Sequence, residues 1–168
     1  MVTAVTFEIR TAAELVDPEL EARWAERRTA RLGDALQSIL HAFLERGGPV
    51  PLDRLAEPAR GLADELDARD LVLLRDGRIE LAYPFATGPN AFGVALADGR
   101  LRYACCAIDA LGIAPMIGQP VTVRAQCHHC GEPLGFGVAP DGPAAEATGV
   151  MVWVGRRPAG GGKVCTSL

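Results

Sequence analysis

Hydrophobic positions recur at three- and four-residue spacing through the first part of the chain. Leu15, Leu20 and Trp24 mark one apolar stripe, and Leu32, Leu36, Ile39, Leu40, Phe43 and Leu44 mark a second, with charged residues between them. The pattern predicts helix over 11–46, interrupted or restarted at Asp17-Pro18, because proline fits a first helical turn. Gly47-Gly48 ends it. A short helix is expected at about 52–57, broken at Glu57-Pro58, and another at about 59–68 with Leu62 and Leu66 inward. Leu71–Leu74 and Ile79–Ala82 then flank Asp76-Gly77, a hairpin signal.

From about residue 91 the period changes to two. Strands are expected at 91–96 and 101–104 around Ala97-Asp98-Gly99, then at 121–125, 134–139 and 150–154. Between them, Cys106–Leu111 reads as a short helix stopped by Gly112 and Pro115. The fold class expected is α+β: an N-terminal helical, winged-helix-like lobe over 1–82, a linker over 83–90, and a small antiparallel or mixed β-sheet domain over 91–168. The short helix of that second domain carries the Cys-x-x-Asp motif.

Composition narrows the function classes. The net charge is −4, which suits a dominant nucleic-acid binder poorly. The candidate recognition helix at 59–69 mixes Arg60 and Arg69 with Asp64, Glu65 and Asp67, so a structural role for the lobe outweighs DNA binding. No apolar run reaches the roughly 18 residues of a membrane span, and Met1–Arg10 lacks a signal-peptide core. A cytoplasmic protein is expected. The five cysteines, Cys105, Cys106, Cys127, Cys130 and Cys165, form an odd set, unlike a disulfide scaffold, and all fall after residue 104.

Chemistry concentrates in Cys105-Cys106-Ala107-Ile108-Asp109. A thiol where a strand meets a helix lies near free backbone N–H groups, which predicts a pKa below the usual thiol value. Asp109, three residues on, shares a helix face with Cys106, so thiol and carboxyl can exchange a proton. A buried apolar Cys106 with Asp109 as a capping group is the competing reading. Cys127-His128-His129-Cys130 resembles half of a zinc knuckle without its second pair, and strand parity would turn Cys127 toward the core. Cys165 follows a glycine run; beside Cys106 and Asp109 it would complete a soft-metal ligand set.

The run from Leu101 to Gly118 containing Cys106 and Asp109, with the strand Val121–Ala125 and Cys127 behind it, resembles the core of the alkylmercury (organomercurial) lyase family. Tyr83-Pro84-Phe85 and the preceding lobe with Pro49-Val50 resemble that family too, so the likeness covers roughly residues 30–155. The resemblance implies cleavage of a carbon–mercury bond by protonolysis, with release of a hydrocarbon and Hg(II). It implies that Cys106 captures mercury as thiolate and that Asp109 delivers the proton and helps hold the metal. The family's second thiol falls to Cys165. No organic cofactor is implied; small thiols are the acceptors and a mercuric reductase is the downstream partner. The residues themselves leave two other readings open: a soft-metal-binding or thiol-chemistry protein with a different substrate, and a winged-helix metal-responsive regulator.

Overall fold

The computed structural model describes residues 8–16, 18–27 and 29–154. Helices α1 (Pro18–Arg27) and α2 (Ala30–Arg46) occupy the predicted helical stretch. The stripe of α2 is its buried face: Leu32, Ala35, Leu36, Ile39 and Phe43 are buried, at the spacing that keeps one side of a helix inward. Gly47, with φ 78°, ends the helix, its N–H bonding to the Phe43 carbonyl.

The strands that follow are β1 (Val50–Pro51), β2 (Val72–Arg75), β3 (Arg78–Ala82), β4 (Phe85–Ala86), β5 (Gly93–Ala95), β6 (Leu101–Ala104), β7 (Val121–Gln126), β8 (Pro133–Ala139) and β9 (Gly142–Pro143). They form one nine-stranded sheet in the order β1-β3-β4-β6-β5-β7-β8-β9, with β2 on the free side of β3. Every strand pairing among the described residues is antiparallel. The molecule is therefore a mixed α+β fold. Asp76 and Gly77 both take positive φ, 48° and 71°, the geometry of a type I′ turn, which explains why Asp-Gly marked the hairpin.

Several elements differ from expectation. The helix expected at 52–57 is a 3-10 turn at Leu52–Arg54, and α3 is only Ala63–Ala68, preceded by turns; Leu62 and Leu66 are buried as predicted. The stretch 83–90, read as linker, contains β4, which joins β3 to β6. Phe85 is buried there and stacks on Phe43 at 6.2 Å between ring centroids. The helix after Cys106 does not stop at Gly112 or Pro115: α4 runs Ala107–Ile117 and ends at Gly118, whose φ is 66°. Burial of Ala110, Ile113 and Ala114 against the sheet holds it together. That packing offsets the penalty of about 1 kcal/mol for an interior glycine and about 3 for an interior proline. The strand expected at 150–154 is absent: residues 151–154 form no regular element, and Trp153 is 62% exposed.

One hydrophobic core runs from Leu32, Ile39 and Phe43 of α2 to Val121, Phe136 and Val138 of the far strands. Arg102 adds a polar fastening to it. Its side chain is 7% exposed, yet every nitrogen finds a carbonyl. Nε donates to Leu44 O at 2.8 Å, Nη2 to Glu45 O at 2.7 Å and Nη1 to Leu101 O at 2.8 Å. Arg100 Nη1 also donates to Glu45 O at 2.8 Å. Two guanidinium groups thus satisfy the orphan carbonyls at the C-terminus of α2, where a cation suits the helix dipole. Replacing Arg102 by methionine keeps the stem and removes the donors. Denaturant unfolding is expected to show a loss of about 2–4 kcal/mol, since charge-assisted bonds to buried carbonyls disappear. An unchanged midpoint would show that Arg100 alone caps the helix.

Candidate active site

The site forms where β6 hands over to α4. Cys106 is extended (φ −152°, ψ −180°) and is the N-cap of α4. Successive residues of an extended chain face opposite ways, so the two adjacent cysteines separate. Cys105 turns into the sheet, 8% exposed, with its thiol donating to Phe85 O at 3.3 Å. Cys106 turns outward and is half-buried. Its Sγ accepts from the Asp109 N–H at 3.4 Å, and its thiol donates to Asp109 Oδ2 at 2.9 Å. The three-residue spacing read from the sequence thus brings thiol and carboxylate into direct contact.

The electrostatics correct one expectation. The helix terminus does act on the sulfur: the Asp109 and Ile108 amides both pull its pKa down. Burial, which disfavours thiolate, and the facing carboxylate outweigh them, and the Cys106 thiol is pushed up from 9.0 to about 11. Burial also lifts Asp109 above its ordinary 3.8, opposed by the bond from Cys106. The resting pair is a protonated thiol donating to a carboxylate. It can give up one proton from sulfur to oxygen when an electrophile takes the sulfur, and the carboxylic acid so formed can pass that proton on.

Asn90, read in sequence only as linker, supports this turn. Its Nδ2 donates to Ala104 O at 3.0 Å, and its Oδ1 accepts from Phe92 N–H at 2.9 Å. An asparagine after proline at the start of a strand is the local signal for such a bridging side chain. Asn90 also lines an open hollow of about 530 Å³ with Pro89, Ala91, Arg124, Ala125 and Gln126. A smaller hollow, about 190 Å³, lies by the end of α2 and Gly48. Neither is lined by Cys106 or Asp109.

The remaining cysteines sort differently. Cys127 is half-buried between exposed Gln126 and His128 and is not a core residue: β7 ends at Gln126, and Cys127 stands at the head of a tight turn. Amide hydrogen bonds from Cys130 and His129, together with the Cys130 side chain, hold the Cys127 pKa below 9.0. Cys130, His128 and His129 are exposed. Among the described residues no three His, Cys, Asp or Glu side chains converge as a metal site, so a tetrahedral zinc would lack ligands there. Cys165 lies outside the described residues.

Comparison with known proteins decides the family. The family model described as "MerB: Alkylmercury lyase" matches residues 85–168, the second half of the chain. The chain belongs to the alkylmercury lyase family. An alkylmercury lyase of Bacillus cereus is 43% identical over 53 residues, which cover 32% of this chain and 23% of that protein. One from Staphylococcus epidermidis is 30% identical over 105 residues, 59% of this chain and 47% of that protein. The chain thus spans about a quarter to a half of these alkylmercury lyases. Among solved structures, the mercury-bound form of MerB2 superposes with a TM-score of 0.57 at 17% identity, over 76% of this chain and 66% of that one. That likeness supports the alkylmercury lyase fold. No helix among the described residues is long and apolar enough to cross a membrane.

Proposed function

We propose that this chain cleaves a carbon–mercury bond by protonolysis, with Cys106 and Asp109 as the reacting pair. The observation that carries the reading is the 2.9 Å contact between the Cys106 thiol and the Asp109 carboxylate at the head of α4. In the first step mercury of an organomercurial cation bonds to Cys106 Sγ, and the thiol proton moves to Asp109. A second thiolate, assigned to Cys165, joins the mercury and raises electron density at its carbon. The protonated Asp109 then gives its proton to that carbon as the carbon–mercury bond breaks. The products are a hydrocarbon and Hg(II) held on sulfur, with the Asp109 carboxylate regenerated beside it. Soft mercury prefers thiolate over oxygen donors, so two incoming small thiols take it off by exchange, their protons passing to the released sulfurs. A mercuric reductase is the proposed downstream acceptor.

The N-terminal lobe, winged-helix-like in its order of elements, is read as a scaffold. Its α3 has six residues, among them Asp64, Glu65 and Asp67, and no basic side chain, a poor surface for phosphates. The test is incubation of the purified chain with an arylmercurial and excess small thiol in deuterated water. Arene bearing a single deuterium is the expected product. Mercury retained without arene would favour the alternative, a soft-metal-binding member of the family. For Cys165→Ser, arene release is expected to fall at least tenfold, about 1.4 kcal/mol of barrier. Full activity in that variant would move the second-ligand role to another cysteine.

A further inference from the structure

The Cys127–Cys130 turn is not used by the reaction above, yet it has the form of a ligand site. Cys127 N–H donates to Glu132 O at 2.8 Å, and Gly131 N–H donates back to Cys127 O at 2.8 Å. Gly131 closes the turn at φ 74°, a left-handed conformation that a side chain would strain. Within it Cys127 and Cys130 stand three residues apart on one closed turn, and the His129 and Cys130 amides with the Cys130 side chain lower the Cys127 pKa. Two free thiols, one half-buried and one exposed, are therefore carried on a single tight turn.

The sheet register places this turn near the Cys106 turn. Gly93 of β5 pairs with Tyr103 of β6 on one side and with Arg124 of β7 on the other. β6 and β7 are both antiparallel to β5, so they run in the same direction and end at the same edge of the sheet. Cys106 lies three residues past Tyr103, and Cys127 three residues past Arg124. With one strand between them, β6 and β7 lie about 10 Å apart, twice the usual strand spacing. The hollow of about 530 Å³ opens at this same edge, bounded by Arg124–Gln126 before Cys127 and by Asn90. Asn90 in turn holds the Ala104 carbonyl ahead of Cys106.

We propose that Cys127 and Cys130 form a second soft-metal site, a dithiolate pair for a two-coordinate cation such as Hg(II). Zinc needs more ligands than converge here, whereas Hg(II) is satisfied by two sulfurs in line. The placement suits a way station for mercury leaving Cys106, a role that rests on the lyase reading above; the site itself does not. In the transfer, mercury–sulfur bonds to Cys127 and Cys130 form as those to Cys106 and its partner thiolate break. The two thiol protons pass to the released sulfurs, and mercury remains Hg(II) throughout.

The test uses the full chain carrying Cys106→Ser and Cys165→Ser, alone and with Cys130→Ser added. Each protein is loaded with an equimolar amount of mercuric chloride and challenged with rising concentrations of a small monothiol. The mercury left on protein is counted after gel filtration. Linking two ligands raises effective affinity by on the order of 10²–10⁴. The Cys130→Ser protein is therefore expected to lose its mercury at about a hundredfold lower monothiol. Cys130 is exposed, and an unchanged circular dichroism spectrum checks that the fold persists. Equal retention by the two proteins, or no retention by the parent, overturns the proposal. Retention that depends on Cys130, in a chain whose wild type releases no arene, keeps the site and discards the lyase reading.

Discussion

Cys106→Ser is expected to stop arene release, with a fall on the order of 10⁴-fold or more, as when a reacting nucleophile is removed. The sulfur is the only atom of the pair soft enough to capture mercury; a hydroxyl is a hard donor and does not compete for it. The fold should hardly notice. Cys106 caps α4 by accepting from the Asp109 N–H, and serine is among the best residues at that position. Thermal unfolding should therefore change by no more than about 1 kcal/mol at neutral pH. A further signature lies at high pH. The thiol's folded value of about 11 stands above its ordinary 9.0. The stability it contributes is complete below the lower figure and is lost as the pH rises through the higher one. The serine variant lacks that loss, so its unfolding midpoint should fall less steeply over this range. Arene release at the wild-type rate would remove Cys106 from the reaction.

The parts of this fold that were legible in sequence are those set by local spacing. The stripe of α2 predicted its buried face because helical period alone decides which residues share a side. Asp76-Gly77 predicted its hairpin because few other residue pairs accept two positive φ angles. The Cys106–Asp109 contact followed from three-residue spacing on one helix. What escaped was set by partners distant in the chain. The Cys106 pKa moved up rather than down because burial is a property of the packed site, while the helix terminus visible in sequence contributes only part of the balance. The length of α4 depended on the sheet beneath Ile113 and Ala114, which outweighed the breakers at Gly112 and Pro115. β4 was hidden in a stretch rich in turn residues because two residues suffice when β3 and β6 are already in place. The run at 150–154 had a strand's composition, yet residues 151–154 form no regular element, because composition alone does not decide pairing. Nothing in the local sequence marks Arg102 for burial, and only the end of α2, more than fifty residues earlier in the chain, explains it.

Asp109→Asn separates capture from cleavage. The amide is nearly the same size as the carboxylate and leaves the Asp109 backbone N–H on the sulfur, so the turn is expected to persist. It can neither accept the thiol proton nor carry it to carbon. Arene release should fall by about 10²–10⁴-fold, the usual contribution of a positioned proton donor, while mercury still binds. The thiol itself should become more acidic. The carboxylate now holds it up both by its hydrogen bond and by its charge, and the amide removes the charge, leaving burial opposed by the two helix-terminal amides. Alkylation of Cys106 by a neutral reagent, followed against pH, should show its midpoint shifted down from about 11. The wild-type pH profile has the matching sign. Release should rise as Asp109 ionises, above the ordinary carboxylate value of 3.8 because burial lifts it, since a protonated carboxyl cannot take the thiol proton. It should fall again as the pH nears about 11, where the thiol has shed the proton that would be delivered to carbon. The asparagine variant should lose the acidic limb. If that limb survives in the variant, the titrating group lies elsewhere, and Asp109 serves only to cap and position the Cys106 turn.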